Sequence, residues 1–232
     1  MRNYLLCSVL AFLGLCLPSQ ARADVCGSVA GNTVSNCGFE TGSFSNWSVT
    51  GNLFGGLNGN FIYVDNSSPH SGNDDGNFGA PSTFGQTGSG NMFGPLTTLS
   101  EGLTVLPNEY YQVTFYLAND ACSITDSGCG AYYNDFDAYF NRTLLSQQHN
   151  IGQSNFDLQG NLLYTQYSFL VGTGVAANNN GVLQFDFSND DGNFHLDDVS
   201  VVAVRPTPEP ATLLLAAPGL GALYFLRRRR SA

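Results

Sequence analysis

The feature that most constrains this chain is a two-residue rhythm of apolar side chains in several separate segments, with no stretch that keeps a helical rhythm. Tyr111, Val113, Phe115 and Leu117 alternate with Gln112, Thr114 and Tyr116. Phe136, Ala138 and Phe140 alternate with Asp135, Asp137 and Tyr139; Leu183, Phe185 and Phe187 alternate with Gln184, Asp186 and Ser188; Val199 and Val201 close the series. Successive side chains of a strand point to opposite faces, so each segment predicts a strand with one buried face. Segments 44–49, 61–64, 96–105 and 162–171 bring the expectation to about eight strands. Residues 24–207 hold 24 Gly and 22 Asn, which punctuate strands with turns rather than build helices. The expected fold is all-β, a jelly-roll β-sandwich of one domain over residues 24–204, long enough for a full hydrophobic core.

The two ends read as addresses. Residues 1–23 combine Arg2, a 13-residue apolar run at 5–17, Pro18 and Ala21-Arg22-Ala23, a secretory signal peptide with cleavage expected before Asp24. That run is too short for a membrane span of about 20 residues. Residues 205–232 hold Pro208-Glu209-Pro210, a 16-residue run at 211–226, then Arg227, Arg228, Arg229 and Arg230. As a helix the run spans roughly 24 Å against a hydrocarbon core of ~30 Å, a short transmembrane stop. The arginine cluster keeps its end on the cytoplasmic side and the body outside. This ordered trio resembles the PEP-CTERM sorting signal of exopolysaccharide-producing bacteria. The resemblance implies export through the Sec machinery, an inner-membrane intermediate, cleavage near the tripeptide by an exosortase, and a final place at the cell surface or in the extracellular matrix.

Charge narrows the partners. The formal net charge is −10, all eight basic residues are arginines, and lysine is absent. Residues 24–207 keep only Arg142 and Arg205 against seventeen carboxylates, a balance of −15. Such a body repels phosphate backbones, which excludes nucleic acid, and it has few cations for salt bridges.

Four cysteines, Cys26, Cys37, Cys122 and Cys129, lie in the body. An even number in an exported chain predicts disulfides. Of the three pairings, Cys26–Cys37 and Cys122–Cys129 are the simplest. Zinc is disfavoured, because no C-x-x-C exists and His70, His149 and His195 are scattered.

Asn36-Cys37-Gly38-Phe39-Glu40 through Trp47, and His195-Leu196-Asp197-Asp198-Val199-Ser200-Val201, resemble the first and last strands of galactose-binding-like jelly rolls, a group that includes carbohydrate-binding modules. Cys37 stands where that group often has glycine. The resemblance implies that Glu40 and Asp197 lie close together and hold a structural calcium. The residues give their own reason: Asp197 alternates with Val199 and Val201, so it points inward if they do, and a buried carboxylate needs a cation or several donors. The competing reading has Glu40 and Asp197 accepting backbone N–H bonds in a turn. The hexapeptide Asn-Asp-Asp-Gly-Asn-Phe occurs at 73–78 and 189–194 and reads as two tight turns. Trp47 is expected in the core, while Tyr63, Tyr132 and Tyr133 are candidates for stacking on a sugar ring, the last two foremost. No G-x-S-x-G elbow, H-E-x-x-H helix or phosphate-binding glycine loop is present, so the body is expected to be non-catalytic. The sequence therefore predicts an exported, exosortase-sorted surface or matrix protein with a non-catalytic sandwich body. The alternative is a carbohydrate-binding module for exopolysaccharide, and a less favoured one is a polysaccharide-acting enzyme.

Overall fold

The computed structural model describes residues 23–51, 62–79, 97–120, 134–174, 179–189 and 192–204. The signal peptide, the sorting segment, Tyr132, Tyr133, Cys122 and Cys129 lie outside the described residues. Among the described residues there are ten strands: β1 (Ser48–Gly51), β2 (Ile62–Asp65), β3 (Asp75–Phe78), β4 (Thr97–Thr104), β5 (Tyr110–Asn119), β6 (Asn134–Phe140), β7 (Thr143–His149), β8 (Thr165–Gly172), β9 (Asn180–Asn189) and β10 (Phe194–Val204). They form two five-stranded sheets of order β1-β4-β9-β6-β7 and β2-β3-β10-β5-β8. Every pairing is antiparallel. The pairs β6 with β7, β5 with β8, β4 with β9 and β3 with β10 nest inside one another. This is a long hairpin ribbon rolled over itself, a jelly roll, with β1 and β2 added at the edges.

The alternation read from the sequence is the alternation of burial. Phe115, Phe136, Phe140, Phe185 and Phe187 all face the space between the sheets and are at most 1% exposed. Each buried phenylalanine contributes about 1.5–3 kcal/mol. Phe115 meets Phe185 edge to face at 5.1 Å, tying the two sheets. Trp47 is in this core as expected, at 8% exposure. Asparagine serves the turns: among the described residues, six of the nine non-glycine positions with positive φ are Asn. Asn141 and Arg142, at φ 49° and 65°, form the two-residue hairpin loop between β6 and β7.

Three expectations change. The first hexapeptide is a turn only at its start, since Asp75–Phe78 is strand β3, buried along its length. Its Phe78 pairs with Phe194, the last residue of the second copy. The 36–47 motif is a succession of turns, with β1 beginning at Ser48. Phe39 takes φ 59° so that its ring enters the core against Phe44, Trp47 and Phe78. Finally, Asp197 does not point into the apolar core. The β10–β5 register shifts between Asp197 and Ser200, and Asp198 sits at φ 48°. This bulge reverses the phase of the strand: Leu196 and Val199 both face the core, and Asp197 faces out beside Tyr116. The N–H of Val199 donates to the Cys37 carbonyl at 2.9 Å.

Candidate functional site

The outer face of the β2-β3-β10-β5-β8 sheet carries the residues that the motifs singled out. Register places Tyr63, Asn77, His195 and Ala118 in one row, with Asp65 opposite Asp75 and Asp197 opposite Tyr116 in the next. His195 is 2% exposed. Its Nδ1 meets Asp75 Oδ2 at 2.6 Å and its Nε2 lies 3.4 Å from Asp120 Oδ2. Burial by itself depresses an imidazole, but the hydrogen bonds and charges of Asp120 and Asp75 outweigh it and hold His195 up at about 9. Tyr164 closes this group, donating to the Ser68 carbonyl at 2.8 Å, and burial followed by the Asp75 charge pushes its phenol up.

The neighbouring half of the face is covered by the chain itself. Asp197 Oδ2 accepts the N–H groups of His70 and Ser71 at 2.8 and 3.1 Å, and Oδ1 accepts that of Asp198. Asp198 binds His70 Nδ1 at 2.6 Å, the Ser71 hydroxyl and the N–H of Cys26. His70 stacks on Tyr116 at 3.8 Å. The Cys26–Cys37 disulfide fastens the entering segment here, as predicted. Glu40 clasps the same 70–74 turn from its other end, accepting the N–H groups of Asn73 and Asp74. It occupies the position that a Cβ on Gly72 would need, 1.9 Å from Oε1, so the turn requires glycine there at φ 62°.

Glu40 and Asp197 are therefore brought to one turn, each with backbone donors. Near Gly38 the Asp197 carboxylate has a second acid in its neighbourhood, Asp24, which carries no motif in the sequence. Asp24 Oδ1 and Asp197 Oδ1 lie 3.2 and 3.4 Å from the point where a Cβ on Gly38 would be. Burial, then the Asp198 charge, pushes the Asp197 carboxyl up to about 9, a displacement that an adjacent cation reverses. Among the described residues, the one trio of His, Cys, Asp or Glu atoms close enough to share an ion is Asp24, Cys26 and Cys37, and the disulfide takes both sulfurs.

The outer face of the β1-β4-β9-β6-β7 sheet is different. Its central row runs Thr50, Thr98, Asp186, Asp137, Gln147 across all five strands. The next row is Ser48, Ser100, Gln184, Tyr139, Leu144, and on the other side Ser188, Asp135 and His149 follow one another. Asp135 and Asp137 are only 3% and 6% exposed, whereas Leu144 is 48% exposed and Gln147 is exposed. Asp186 accepts the Thr98 hydroxyl at 2.6 Å and the Gln184 amide. Asp137 Oδ2 accepts the Tyr139 hydroxyl at 3.2 Å, and Asp135 Oδ1 pairs with His149 Nδ1. Among the described residues, Asp137 Oδ1 and Asp135 Oδ2 have no hydrogen-bond partner. Burial raises the Asp135 carboxyl, His149 pulls it back and Asp137 raises it further. Burial and the charges of Asp137 and Asp186 raise the Tyr139 phenol. The sequence placed Asp135, Asp137 and Tyr139 on one side of a strand, but nothing local marked Asp186 as the residue opposite Asp137.

No family model matches the chain, and no curated protein does. Several solved structures resemble it. A family 61 carbohydrate-binding module in complex with β-1,4-galactotriose is 15% identical, with TM-score 0.46 over 75% of this chain and 100% of that one. A cyclase from Fischerella sp. TAU is 12% identical, with TM-score 0.48 over 78% of this chain and 100% of that one. The enzymatically active domain of a bacteriophage CBA120 tailspike is 14% identical, with TM-score 0.44 over 75% of this chain, which spans 21% of its length. Identities and scores this low assign neither activity nor ligand.

Proposed function

We propose that the body is a non-catalytic carbohydrate-binding module that engages extracellular polysaccharide on the outer face of the β1-β4-β9-β6-β7 sheet. The observation that carries this reading is the pair of adjoining rows on that face. Hydroxyl, amide and carboxylate groups of Thr98, Asp186, Asp137 and Gln147 run beside Tyr139 and Leu144, so acceptors for sugar hydroxyls adjoin an apolar platform for a ring. Two carboxylate oxygens there, Asp135 Oδ2 and Asp137 Oδ1, are buried and take no hydrogen bond from the described residues. The histidine–aspartate pairs favour a binding over a catalytic role: the Ser71 hydroxyl bonds Asp198 and the Tyr164 hydroxyl approaches Asp75, so neither bonds imidazole, contrary to what activating a nucleophile requires. Affinity electrophoresis in the host's exopolysaccharide tests the reading. Retardation that Tyr139→Ala abolishes supports it, and unretarded migration of the parent protein would sink it.

The signal peptide and the Pro208-Glu209-Pro210 segment with its arginine cluster supply the route, through the Sec machinery and an exosortase to the cell surface or beyond. Cell fractionation with and without the exosortase tests this, since an unsorted chain stays in the inner membrane. Calcium, when bound, would neutralise Asp24 and Asp197 beside Gly38 and fix the entering segment to β10, with Glu40 holding the turn from outside. A fall in Tm on dialysis against a chelator, restored by calcium and absent in Asp197→Asn, is the expected result.

A further inference from the structure

Two carboxylates of the proposed sugar-binding face, Asp137 and Asp186, have no cationic partner among the described residues, and that fixes the chemistry of the ligand. Asp137 and Asp186 are direct cross-strand partners, and Asp135 lies two residues from Asp137 on the same face. Like charges directly opposite each other destabilise a sheet, so an arrangement of this kind calls for a compensating cation. The chain has no lysine. Among the described residues every ion pair is between histidine and aspartate, and Arg142, at the β6–β7 turn, joins none. On this face His149 pairs with Asp135. Asp137 and Asp186 receive only the neutral donors Tyr139, Thr98 and Gln184. Asp137 Oδ1, on a residue 6% exposed, receives no hydrogen bond from the described residues.

A cation must therefore come from outside. A calcium ion takes about six to eight oxygens, with backbone carbonyls commonly among them, and the carbonyls of these paired strands are spent in the ladder. An ammonium group needs only two or three acceptors, which the carboxylates provide. From this, and resting on the carbohydrate-binding reading above, we infer that the face recognises a polysaccharide with free amino sugars, the ammonium lying against Asp137 and Asp186 and a sugar ring against Tyr139 and Leu144. The same charges exclude uronic-acid polymers.

Titration calorimetry on the purified full chain, in mildly acidic buffer of low ionic strength, tests this with three probes: glucosamine pentamer, its N-acetylated counterpart and tetragalacturonate. The free-amine pentamer should bind one to one and about tenfold more tightly than the N-acetylated one, the worth of one charged hydrogen bond. Asp137→Asn should erase that preference while keeping the weaker affinity, and Asp186→Asn, at a half-exposed position, should do the same should the first variant fold poorly. Glu109→Gln, off this face, removes one charge from the body and should leave the preference intact, which separates recognition from general attraction to an acidic protein. Equal or tighter binding of the N-acetylated pentamer, binding of tetragalacturonate with or without calcium, or a preference that survives both substitutions overturns the inference. So does binding of the host's exopolysaccharide without binding of the glucosamine pentamer, and in each of these cases the carbohydrate-binding reading stands. If neither the probes nor the exopolysaccharide bind, both fall.

Discussion

Asp137 and Asp186 stand directly opposite each other on β6 and β9, two carboxylates on one face of a sheet with hydroxyls and an amide around them and, among the described residues, no cationic side chain paired to either. They lie 49 positions apart in the chain, and three aromatic side chains, Phe136, Phe185 and Phe187, pack beneath them and fix the strands in place. Stability of the free protein and capacity to hold a ligand oppose each other here.

Asp137→Asn should therefore stabilise the free protein by about 0.2–1 kcal/mol, since it relieves a facing like-charge pair and keeps an acceptor for Tyr139. Thermal unfolding without ligand measures it. A clear loss of stability would mean that the carboxylate is already compensated.

Glu101 faces the interior of the sandwich at 5% exposure, with Oε1 accepting the Ser35 N–H at 2.9 Å and Oε2 without a partner among the described residues. Burial pushes its carboxyl up from the ordinary 4.5, and the bond from Ser35 only partly offsets this. An acid whose pKa is higher in the folded state favours folding when protonated. Its contribution is most favourable below the unfolded value and is lost as pH rises toward and through the folded one. Glu101→Gln keeps the acceptor for Ser35 and should raise Tm at neutral pH, with the gain shrinking as pH falls to the ordinary carboxylate range. A gain independent of pH would point to packing instead.

Arg142 holds φ 65° in the second position of a two-residue hairpin loop, where glycine is preferred after asparagine. Arg142→Gly should stabilise the protein by about 1 kcal/mol by removing left-handed strain. Chemical denaturation with an unchanged slope would register it as a higher midpoint. An unchanged or lower midpoint would mean that Arg142 earns its strain through a contact elsewhere.

His195→Ala should cost about 3–5 kcal/mol, because it strands the Asp75 carboxylate, fully buried, without its partner. His195→Ala combined with Asp75→Ala should recover part of that loss. A double variant no more stable than the single one would show that the penalty is a cavity rather than an orphaned charge.

Much of this architecture is written locally. A strand with one buried face leaves its mark in residues i and i+2, so Tyr111 to Leu117, Phe136 to Phe140 and Leu183 to Phe187 announce their strands and their inward faces unaided. The charge balance, the absence of lysine and the address-like ends are equally properties of the string. What lies beyond local pattern is partnership. Asp75–Phe78 has almost no intrinsic strand preference and is a strand because β2 and β10 enclose it. A single bulged residue, Asp198, turns Asp197 from the expected inward position to the outer face, since a one-residue slip reverses every following side chain. Asp24 and Asp197 both come to Gly38, and Asp186 comes opposite Asp137, across distances in sequence that carry no local signal. Sequence by itself determined which residues alternate and how much charge the body must hold; only the rolled hairpin decided which charges meet, because strand register is set by packing between segments far apart in the chain.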